Sequence, residues 1–106
     1  MSSSSDIPSG VRIEHVFVVE AQYAPDAAER RPAVRKEHLG RIAELTREGT
    51  LVAGGAYSDG LTTSVMLVRA ADAAAALAVA RADVYVKAGV WGDISARPFG
   101  LVAVDE

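Results

Sequence analysis

The chain has 106 residues, 50% of them hydrophobic, and carries 11 basic against 14 acidic side chains, a formal charge of −3. This length and charge favour one small acidic domain and argue against a nucleic-acid-binding module, which would normally present a basic surface. No segment approaches about 18 consecutive apolar residues, and the absence of cysteine excludes disulfides, thiolate nucleophiles and cysteine metal sites.

The first ten residues, MSSSSDIPSG, lack both the basic and the apolar region of a signal peptide. They predict a disordered tail over residues 1–10, followed by a single domain over residues 11–106. Without a signal peptide, a membrane span or disulfides, the expected location is cytoplasmic. Neither a membrane nor a nucleic acid is expected as a partner.

Residues 11–20, VRIEHVFVVE, are rich in β-branched and aromatic residues and predict a first strand. Apolar residues on both of its faces indicate a strand that is covered on both sides. A first helix is predicted from about Pro32 to Glu48, with room for an extra turn before the proline. Proline suits a first helical position, and Gly49 provides the stop.

Residues 50–58, TLVAGGAYS, predict a second strand that contains two adjacent glycines. The pair Asp59-Gly60 then predicts a tight turn. A third strand is predicted over residues 61–70, LTTSVMLVRA, so the two strands form a hairpin.

Residues 72–89 are rich in alanine and predict a second helical segment, broken near Asp83 and ended by Gly89. The last strand is predicted within residues 90–104. Pro98 indicates that the far end of this strand lies at a sheet edge, because proline cannot donate to a ladder of hydrogen bonds.

The predicted order of strands and helices, βαββαβ, is that of the split βαβ pattern in ferredoxin-like α+β domains. Two helices can cover only one face of a four-stranded antiparallel sheet, so the other face needs a partner. Because alanine fills little volume, the core of a single chain is thin. We therefore expect a second copy to cover the open face in a homodimer.

A polar sector interrupts the apolar stripe of the first predicted helix. With Val34 set at zero on a helical wheel, Ile42 lies near ~80° and His38 lies between them, near ~40°. Arg31 and Arg35 fall near ~60° and ~100° if the helix includes them. Either this helix end reaches solvent, or it roofs a pocket in which arginines hold an anion and a histidine moves protons.

A second histidine, His15, alternates with Ile13 and Phe17 on the first strand, so it could also face inward. A structural or rim position is more frequent for such a residue. The two histidines have no HExxH or similar spacing, and we predict neither a metal site nor any other cofactor.

A catalytic histidine usually has a carboxylate partner that fixes its tautomer and stabilises its charged form. Turn chemistry accounts for Asp59, helix initiation accounts for Asp72, and Asp93 is expected to be exposed. Asp83 lies between an alanine-rich helix and an aromatic segment. There it either points inward as a partner of the histidine or caps a short helix through the backbone of Val86 or Tyr85. The chemistry of the residues leaves both interpretations open.

Three stretches of the chain resemble the YciI-like (YCII-related) family: RPAVRKEHLGRIAEL, GTLVAGGAYSDG and ADVYVKAGVWGDISARPF. In order and spacing the resemblance covers nearly all of residues 11 to 100. It implies a dimeric α+β barrel of ferredoxin-like subunits and an enzyme with a His–Asp pair in a pocket near the dimer interface. On this chain the pair falls on His38 and Asp83, and Arg35 matches an arginine commonly found just before the histidine.

The chain departs from the family pattern at two positions. Val84 stands where the family usually has the proline of Asp-Pro-Tyr, and Gly55 where it often has the proline of Ala-Gly-Pro. Loss of the first proline loosens the backbone that aims Asp83. The second change alters the shape of the pocket wall.

The favoured function is cofactor-free proton transfer of the lyase or isomerase type on a small anionic or hydroxylated aromatic substrate. One branch of the family is linked to removing chloride from such a compound. His38 would be the general base and Asp83 its orienting partner. The residues expected to bind the substrate are two arginines, two glycines that allow close approach and one aromatic residue: Arg31, Arg35, Gly54, Gly55 and Tyr85.

Two other functions stay open. In the first, the chain is a non-catalytic dimeric ligand-binding or accessory module whose His–Asp pair is structural. In the second and weaker one, it is a small cofactor-free monooxygenase. The aromatic residues expected to line its pocket are Tyr23, Tyr57, Tyr85 and Trp91.

Overall fold

The computed structural model describes residues 6–105. Its elements are β1 (Val11–Tyr23), α1 (Ala27–Arg47), β2 (Leu51–Ala56), β3 (Thr63–Val68), α2 (Ala73–Arg81), α3 (Val84–Lys87) and β4 (Trp91–Val104). The strands form one antiparallel sheet in the order β2-β3-β1-β4. The chain is thus an α+β protein with the order of strands predicted from the sequence.

The helices pack on one face of the sheet. Val19 of β1 and Met66 of β3 are directly opposite each other and belong to one buried cluster with Ala76 and Ala80 of α2 and Tyr85 of α3. A cavity lies between α1 and the β2–β3 hairpin, and the candidate site is found there.

Strands β1 and β4 extend beyond the rest of the sheet. Residues 11–16 pair with β4, while β3 pairs with β1 only from Phe17 onward in the described chain. We call this two-stranded extension, residues 11–16 and 99–104, the β1–β4 arm. It carries four exposed large apolar side chains: Ile13, Phe99, Val102 and Val104.

The prediction began α1 at about Pro32 and allowed an extra turn before it, and the structure contains that turn. The helix begins at Ala27, so Pro32 lies inside it rather than at its first position. The N–H groups of Glu29 and Arg30 both donate to the carbonyl of Asp26, and Ala27 is buried in the core. A proline this close to a helix start removes only one backbone bond.

Other predicted boundaries agree with the structure. Gly49 and Gly89 follow α1 and α3 with positive φ angles of 86° and 72°, which suit glycine and end each helix. The helical segment over residues 72–89 is divided at Asp83. Pro98 lies on β4, which is an edge strand.

The predicted disordered tail begins with residues 1–5, which lie outside the described residues. Next to β1, the N–H of Val11 donates to the carbonyl of Pro8 at 3.2 Å, and the N–H of Asp105 donates to that of Gly10 at 2.8 Å. Across residues 6–105, none of the helices has the length and apolar character needed to cross a membrane.

Candidate functional site

The break between α2 and α3 positions the carboxylate of Asp83. This residue has an extended backbone and forms the N-cap of α3, with its Oδ1 accepting a hydrogen bond from the N–H of Tyr85 at 2.9 Å. The cap directs the side chain toward α1, and Asp83 is 0% exposed. An aspartate at this depth needs partners for its charge.

His38 of α1 provides the first of these partners. Its Nδ1 lies 2.8 Å from Oδ1 of Asp83, and the residue is 7% exposed. The same carboxylate oxygen therefore serves the cap of α3 and the histidine. The two interpretations of Asp83 that the sequence left open are both realised in the geometry.

Arg41 provides the second partner. Its Nη1 donates to Oδ2 of Asp83 at 3.1 Å, and its Nη2 donates to the carbonyl of Val79 at 2.7 Å. Burial of Asp83 opposes its ionisation, but the hydrogen bonds from His38, from the N–H of Tyr85 and from Arg41 outweigh it. The pKa of Asp83 is consequently lowered from its ordinary value of 3.8. Asp83 is ionised at neutral pH.

Ionisation of Asp83 decides which nitrogen of the neutral imidazole carries the proton. A carboxylate can only accept hydrogen bonds, so Nδ1 of His38 must be the donor and Nε2 carries the lone pair. Across residues 6–105, the hydrogen bond that the His38 ring forms with the protein is the one from Nδ1 to Asp83, and Nε2 takes no part in it. The basic nitrogen of the ring is therefore free to meet a ligand.

Two aromatic side chains hold the imidazole ring in place. Tyr85 is stacked on His38 with ring centres 3.7 Å apart and an angle of 8° between the planes. Trp91 meets the imidazole edge to face at 5.3 Å. Both aromatic residues are buried. Rotation of the imidazole would break these contacts and the bond to Asp83 together, so its orientation is fixed.

A cavity of about 150 Å³ lies beside the imidazole, between α1 and the β2–β3 hairpin. Twelve residues line it: Tyr23, Arg31, Arg35, His38, Leu39, Ile42, Gly54, Gly55, Ala56, Ser64, Met66 and Tyr85. All five residues expected to bind substrate are among them. Asp83 is not, because the imidazole separates it from the cavity.

The charges around the cavity are positive. Arg31 and Arg35 lie one turn apart on α1, and neither forms an ion pair with a carboxylate among the described residues. Nε of Arg31 is buried without a hydrogen-bond partner there, and its guanidinium carbon lies 5.9 Å from the ring centre of Tyr23. No acidic residue lines the cavity. An anion is the complementary ligand.

Two residues of this site were not predicted from the sequence. Arg41 falls near ~−20° on the helical wheel that has Val34 at zero, so periodicity alone would place it on the inward side. Ser64, which donates to the carbonyl of Gly55 at 3.2 Å, alternates with buried Met66 on β3. Period-two alternation was the signal that could have identified it.

Several candidates lie away from the cavity. His15 is exposed on the β1–β4 arm, in agreement with the rim position that was the more frequent expectation for it. Of the four aromatic residues proposed for an oxygenase pocket, Tyr23 and Tyr85 line the cavity. Trp91 contacts the imidazole without lining the cavity, and Tyr57 is 58% exposed in a neighbouring groove.

The other aspartates have the roles expected from local chemistry. Asp72 caps α2 by accepting a hydrogen bond from the N–H of Ala75 at 2.8 Å. Asp59 and Asp93 are exposed. In the described range, 6–105, no group of three or more His, Cys, Asp or Glu side chains is arranged to hold a metal ion.

The chain resembles small bacterial proteins along most of its length. The model of the YCII-related domain matches residues 16–100. An uncharacterised protein of Haemophilus influenzae is 36% identical over 95 residues, which cover 81% of this chain and 97% of that protein. Protein YciI of Escherichia coli O6:H1 is 36% identical over 96 residues, with coverages of 82% and 98%.

A solved structure shares the fold. It is 5-chloro-2-hydroxyhydroquinone dehydrochlorinase (TftG) from Burkholderia phenoliruptrix AC1100 in complex with 2,5-dihydroxybenzoquinone, with a TM-score of 0.67. The match covers 79% of this chain and 92% of that one at 16% identity. At this identity the likeness establishes a common fold.

Proposed function

The chain belongs to the YCII-related domain family, and we propose that it is a small-molecule enzyme in which His38 is a general base that needs no cofactor. The observation that carries this proposal is that the two ring nitrogens of His38 have different surroundings. Nδ1 is bonded to the buried carboxylate of Asp83, while Nε2 has no protein partner in the described chain and its ring lines a cavity. The reaction class that fits is proton transfer of the lyase or isomerase type.

The base removes a proton from an acidic C–H or O–H group of the bound molecule. Nε2 of His38 accepts it, and the Asp83 carboxylate stabilises the imidazolium through Nδ1–H. The electron pair left behind moves into the substrate. In an elimination it forms a double bond while a leaving group departs with its own electron pair. In an isomerisation the imidazolium returns the proton to a different atom.

The charge of the cavity indicates the class of substrate. Arg31 and Arg35 face the cavity with no acidic residue beside them, so they can hold an anionic oxygen and stabilise the charge that grows on it during proton removal. The dehydrochlorinase that shares this fold acts on a chlorinated, hydroxylated ring. We propose a small anionic or hydroxylated ring compound as the substrate here.

Hydrogen–deuterium exchange tests the base with a probe molecule in place of the natural substrate. In heavy water, a ring carbon of 2,5-dihydroxybenzoquinone takes up a deuteron to form a keto tautomer, a base then removes the original proton from that carbon, and NMR follows the loss of the ring-proton signal. We expect the wild-type protein to accelerate this exchange. His38→Asn, which keeps a hydrogen-bond donor near the position of Nδ1 but has no base, should return the rate to that of buffer. His15→Asn is the matched control and should exchange as the wild type does.

Equal acceleration by wild type and His38→Asn would remove His38 as the base. The measurement is made on samples shown to be folded by circular dichroism, so that loss of structure is not mistaken for loss of the base.

A second function is favoured by the contacts of Asp83 itself. This carboxylate caps α3 and binds Arg41, and both contacts stabilise the fold whether or not chemistry occurs. In that case the protein is a ligand-binding or accessory module with a structural His–Asp pair. Absence of exchange in the wild type, together with a sharp loss of stability in both Asp83→Asn and His38→Asn, would favour this function.

We also propose that the protein works as a homodimer. Val102 is 61% exposed on the β1–β4 arm opposite Ile13, which is 41% exposed, so the arm presents apolar surface on a single chain. A second copy that covers it would remove this surface from water. Sedimentation equilibrium should give twice the chain mass for the wild type and for Ala78→Glu on α2. Val102→Glu should sediment as a monomer, and a wild-type monomer would contradict the proposal.

A further inference from the structure

The break between α2 and α3 leaves a backbone carbonyl of α2 without its helical partner. In a continuous helix the carbonyl of Val79 would accept a hydrogen bond from the N–H of Asp83, four residues later. Here the N–H of Asp83 donates to the carbonyl of Ala80 at 3.1 Å instead. The carbonyl of Val79 accepts a hydrogen bond from Nη2 of Arg41 at 2.7 Å. A side chain of α1 thus satisfies the end of α2.

The guanidinium of Arg41 bridges both sides of this break. While Nη2 binds the last turn of α2, Nη1 donates to Oδ2 of Asp83, the N-cap of α3, at 3.1 Å. A guanidinium holds such N–H groups in one rigid plane, and the negative end of the α2 dipole also favours a cation there. Arg41 is therefore fixed relative to both helices, although its side chain is 28% exposed.

The hydrogen bond from Arg41 fixes the plane of the Asp83 carboxylate. Oδ1 accepts hydrogen bonds from Nδ1 of His38 and from the N–H of Tyr85. In the described range, Oδ2 has Arg41 as its donor. Asp83 is 0% exposed, so without Arg41 its Oδ2 would be a charged oxygen with no partner in its present orientation. Rotation about the Cβ–Cγ bond would then be favoured, and Oδ1 would move off the line of Nδ1–H.

We propose that Arg41 is a positioning residue for His38, which acts through Asp83 and does not contact the bound molecule. The two α1 residues are three positions apart and lie on the same side of the helix, so both reach one carboxylate. His38 lines the cavity, whereas Arg41 does not. Because it concerns how the base is held, this inference rests on the proposed function.

Deuterium exchange of 2,5-dihydroxybenzoquinone measures the effect of Arg41 on the base. Arg41→Met keeps a long side chain but removes its hydrogen-bond donors. Its exchange rate at saturating probe should fall by about tenfold or more, because displacement of a reacting group by about 1 Å has a cost of this order. The half-saturating concentration of the probe should stay within about twofold of wild type, since Arg41 does not line the cavity.

Arg47→Met, on the exposed side of the same helix, is the matched control and should exchange as the wild type does. All variants are compared as samples shown to be folded by circular dichroism. An undiminished saturated rate in Arg41→Met, or a loss confined to the half-saturating concentration, would overturn the role assigned to Arg41.

Two further variants separate position from charge and from general support of the fold. Arg41→Lys keeps the positive charge but has one nitrogen for two acceptors, so it should regain only part of the lost rate. Full recovery would show that charge alone suffices and would overturn the role. In Asp83→Asn the carboxylate is absent, so adding Arg41→Met should change the remaining exchange rate by less than about twofold. A further loss of about tenfold would show that Arg41 acts by another route.

Long-range proton–nitrogen NMR spectra of His38 test the positioning without turnover. In Arg41→Met, and to a smaller extent in Arg41→Lys, part of the molecules should carry the imidazole proton on Nε2, because the protonated nitrogen is set by the hydrogen bond that the ring makes. Spectra of both folded variants that match the wild type would overturn the inference. If the wild type does not accelerate exchange, the proposed base fails, and these spectra alone decide whether Arg41 positions the partner of His38.

Discussion

Replacement of Asp83 by Asn should lower the stability of the fold strongly, and the structure gives the size of the effect. Three hydrogen bonds end on this carboxylate, from Nδ1 of His38 at 2.8 Å, the N–H of Tyr85 at 2.9 Å and Nη1 of Arg41 at 3.1 Å. Asparagine is nearly the same size but has one acceptor oxygen. If that oxygen serves His38 and Tyr85, the amide N–H₂ faces the guanidinium of Arg41, donor against donor.

Asp83→Asn thus removes the hydrogen bond from Arg41 to the carboxylate. The hydrogen bonds from His38 and Tyr85 remain, but they become weaker because their acceptor is no longer charged. A hydrogen bond to a charged group contributes about 1.5–3 kcal/mol, and removal of one partner from a buried charged pair costs about 3–5 kcal/mol. Because the side chain of Arg41 is 28% exposed and its ion pair is therefore partly screened by solvent, the lower part of that range applies. We expect Asp83→Asn to lower the free energy of unfolding by about 3 kcal/mol, and the melting temperature by roughly 15 °C.

The dependence of this difference on pH identifies the carboxylate as its source. The pKa of folded Asp83 lies below its ordinary value of 3.8, so its stabilising contribution is present above that value and is lost as the pH falls through the folded pKa. The difference in unfolding free energy between wild type and Asp83→Asn should shrink as the pH falls below about 4. The lowered pKa values of half-buried Glu14 and Asp26, which lie away from Asp83, affect both proteins equally and cancel.

Urea unfolding at fixed protein concentration, followed by fluorescence of Trp91, measures this difference. Trp91 is the one tryptophan of the chain and is buried next to His38, so its emission reports unfolding around the site. Asp26→Asn is the matched control, since Asp26 also lies at a helix N-terminus and bonds to an arginine but in a half-buried position. The urea midpoint of Asp26→Asn should differ from that of the wild type far less than the midpoint of Asp83→Asn does. Equal midpoints for wild type and Asp83→Asn, or a difference that persists unchanged to pH 3, would refute the role assigned to this carboxylate.

Other substitutions test the supporting contacts. Arg41→Met should lower the unfolding free energy by about 1–2 kcal/mol and raise the pKa of Asp83 toward its ordinary value, as seen by thermal melting and by carbon NMR titration of the carboxyl group. Arg47→Met, which removes an exposed ion pair on the same helix, should leave that pKa unchanged. Val84→Pro should change stability by less than about 1 kcal/mol, because proline suits the first position of α3; a larger loss in a thermal melt would show that the cap depends on valine. Asp72→Ala should cost about 1 kcal/mol through the lost cap of α2, yet leave deuterium exchange at the wild-type rate.

The order of strands and helices could be predicted because each element carries its own local signal. Alternation of β-branched residues predicted the strands, and Gly49 and Gly89 ended the helices where the structure ends them. The start of α1 could not be obtained in this way. Local preference favoured Pro32 as the first helical residue, whereas burial of Ala27 in the core extends the helix upstream. Tertiary packing decided that boundary, and the local sequence does not contain it.

The candidate site was predicted in part for a similar reason. Periodicity places His38 on the inward side of α1, and the chemistry of Asp83 allowed it to be a cap or a partner. Only the folded chain shows that Oδ1 of Asp83 both caps α3 and bonds to His38. Arg41 was missed because its importance depends on Asp83, a residue 42 positions away in sequence. The volume of the cavity likewise depends on how closely α1 approaches the sheet, which no local pattern specifies.

The protonation of His38 beside the cavity is the most direct test of the central claim. A long-range proton–nitrogen NMR spectrum, recorded where the imidazole is neutral, distinguishes the two ring nitrogens. The chain has only two histidines, and His15→Asn assigns the signals of His38. We expect Nδ1 to carry the proton, Nε2 to be unprotonated, and the Nε2 signal to move when 2,5-dihydroxybenzoquinone is added. A proton on Nε2, or an Nε2 signal that stays in place at saturating concentrations of this probe, would contradict the claim.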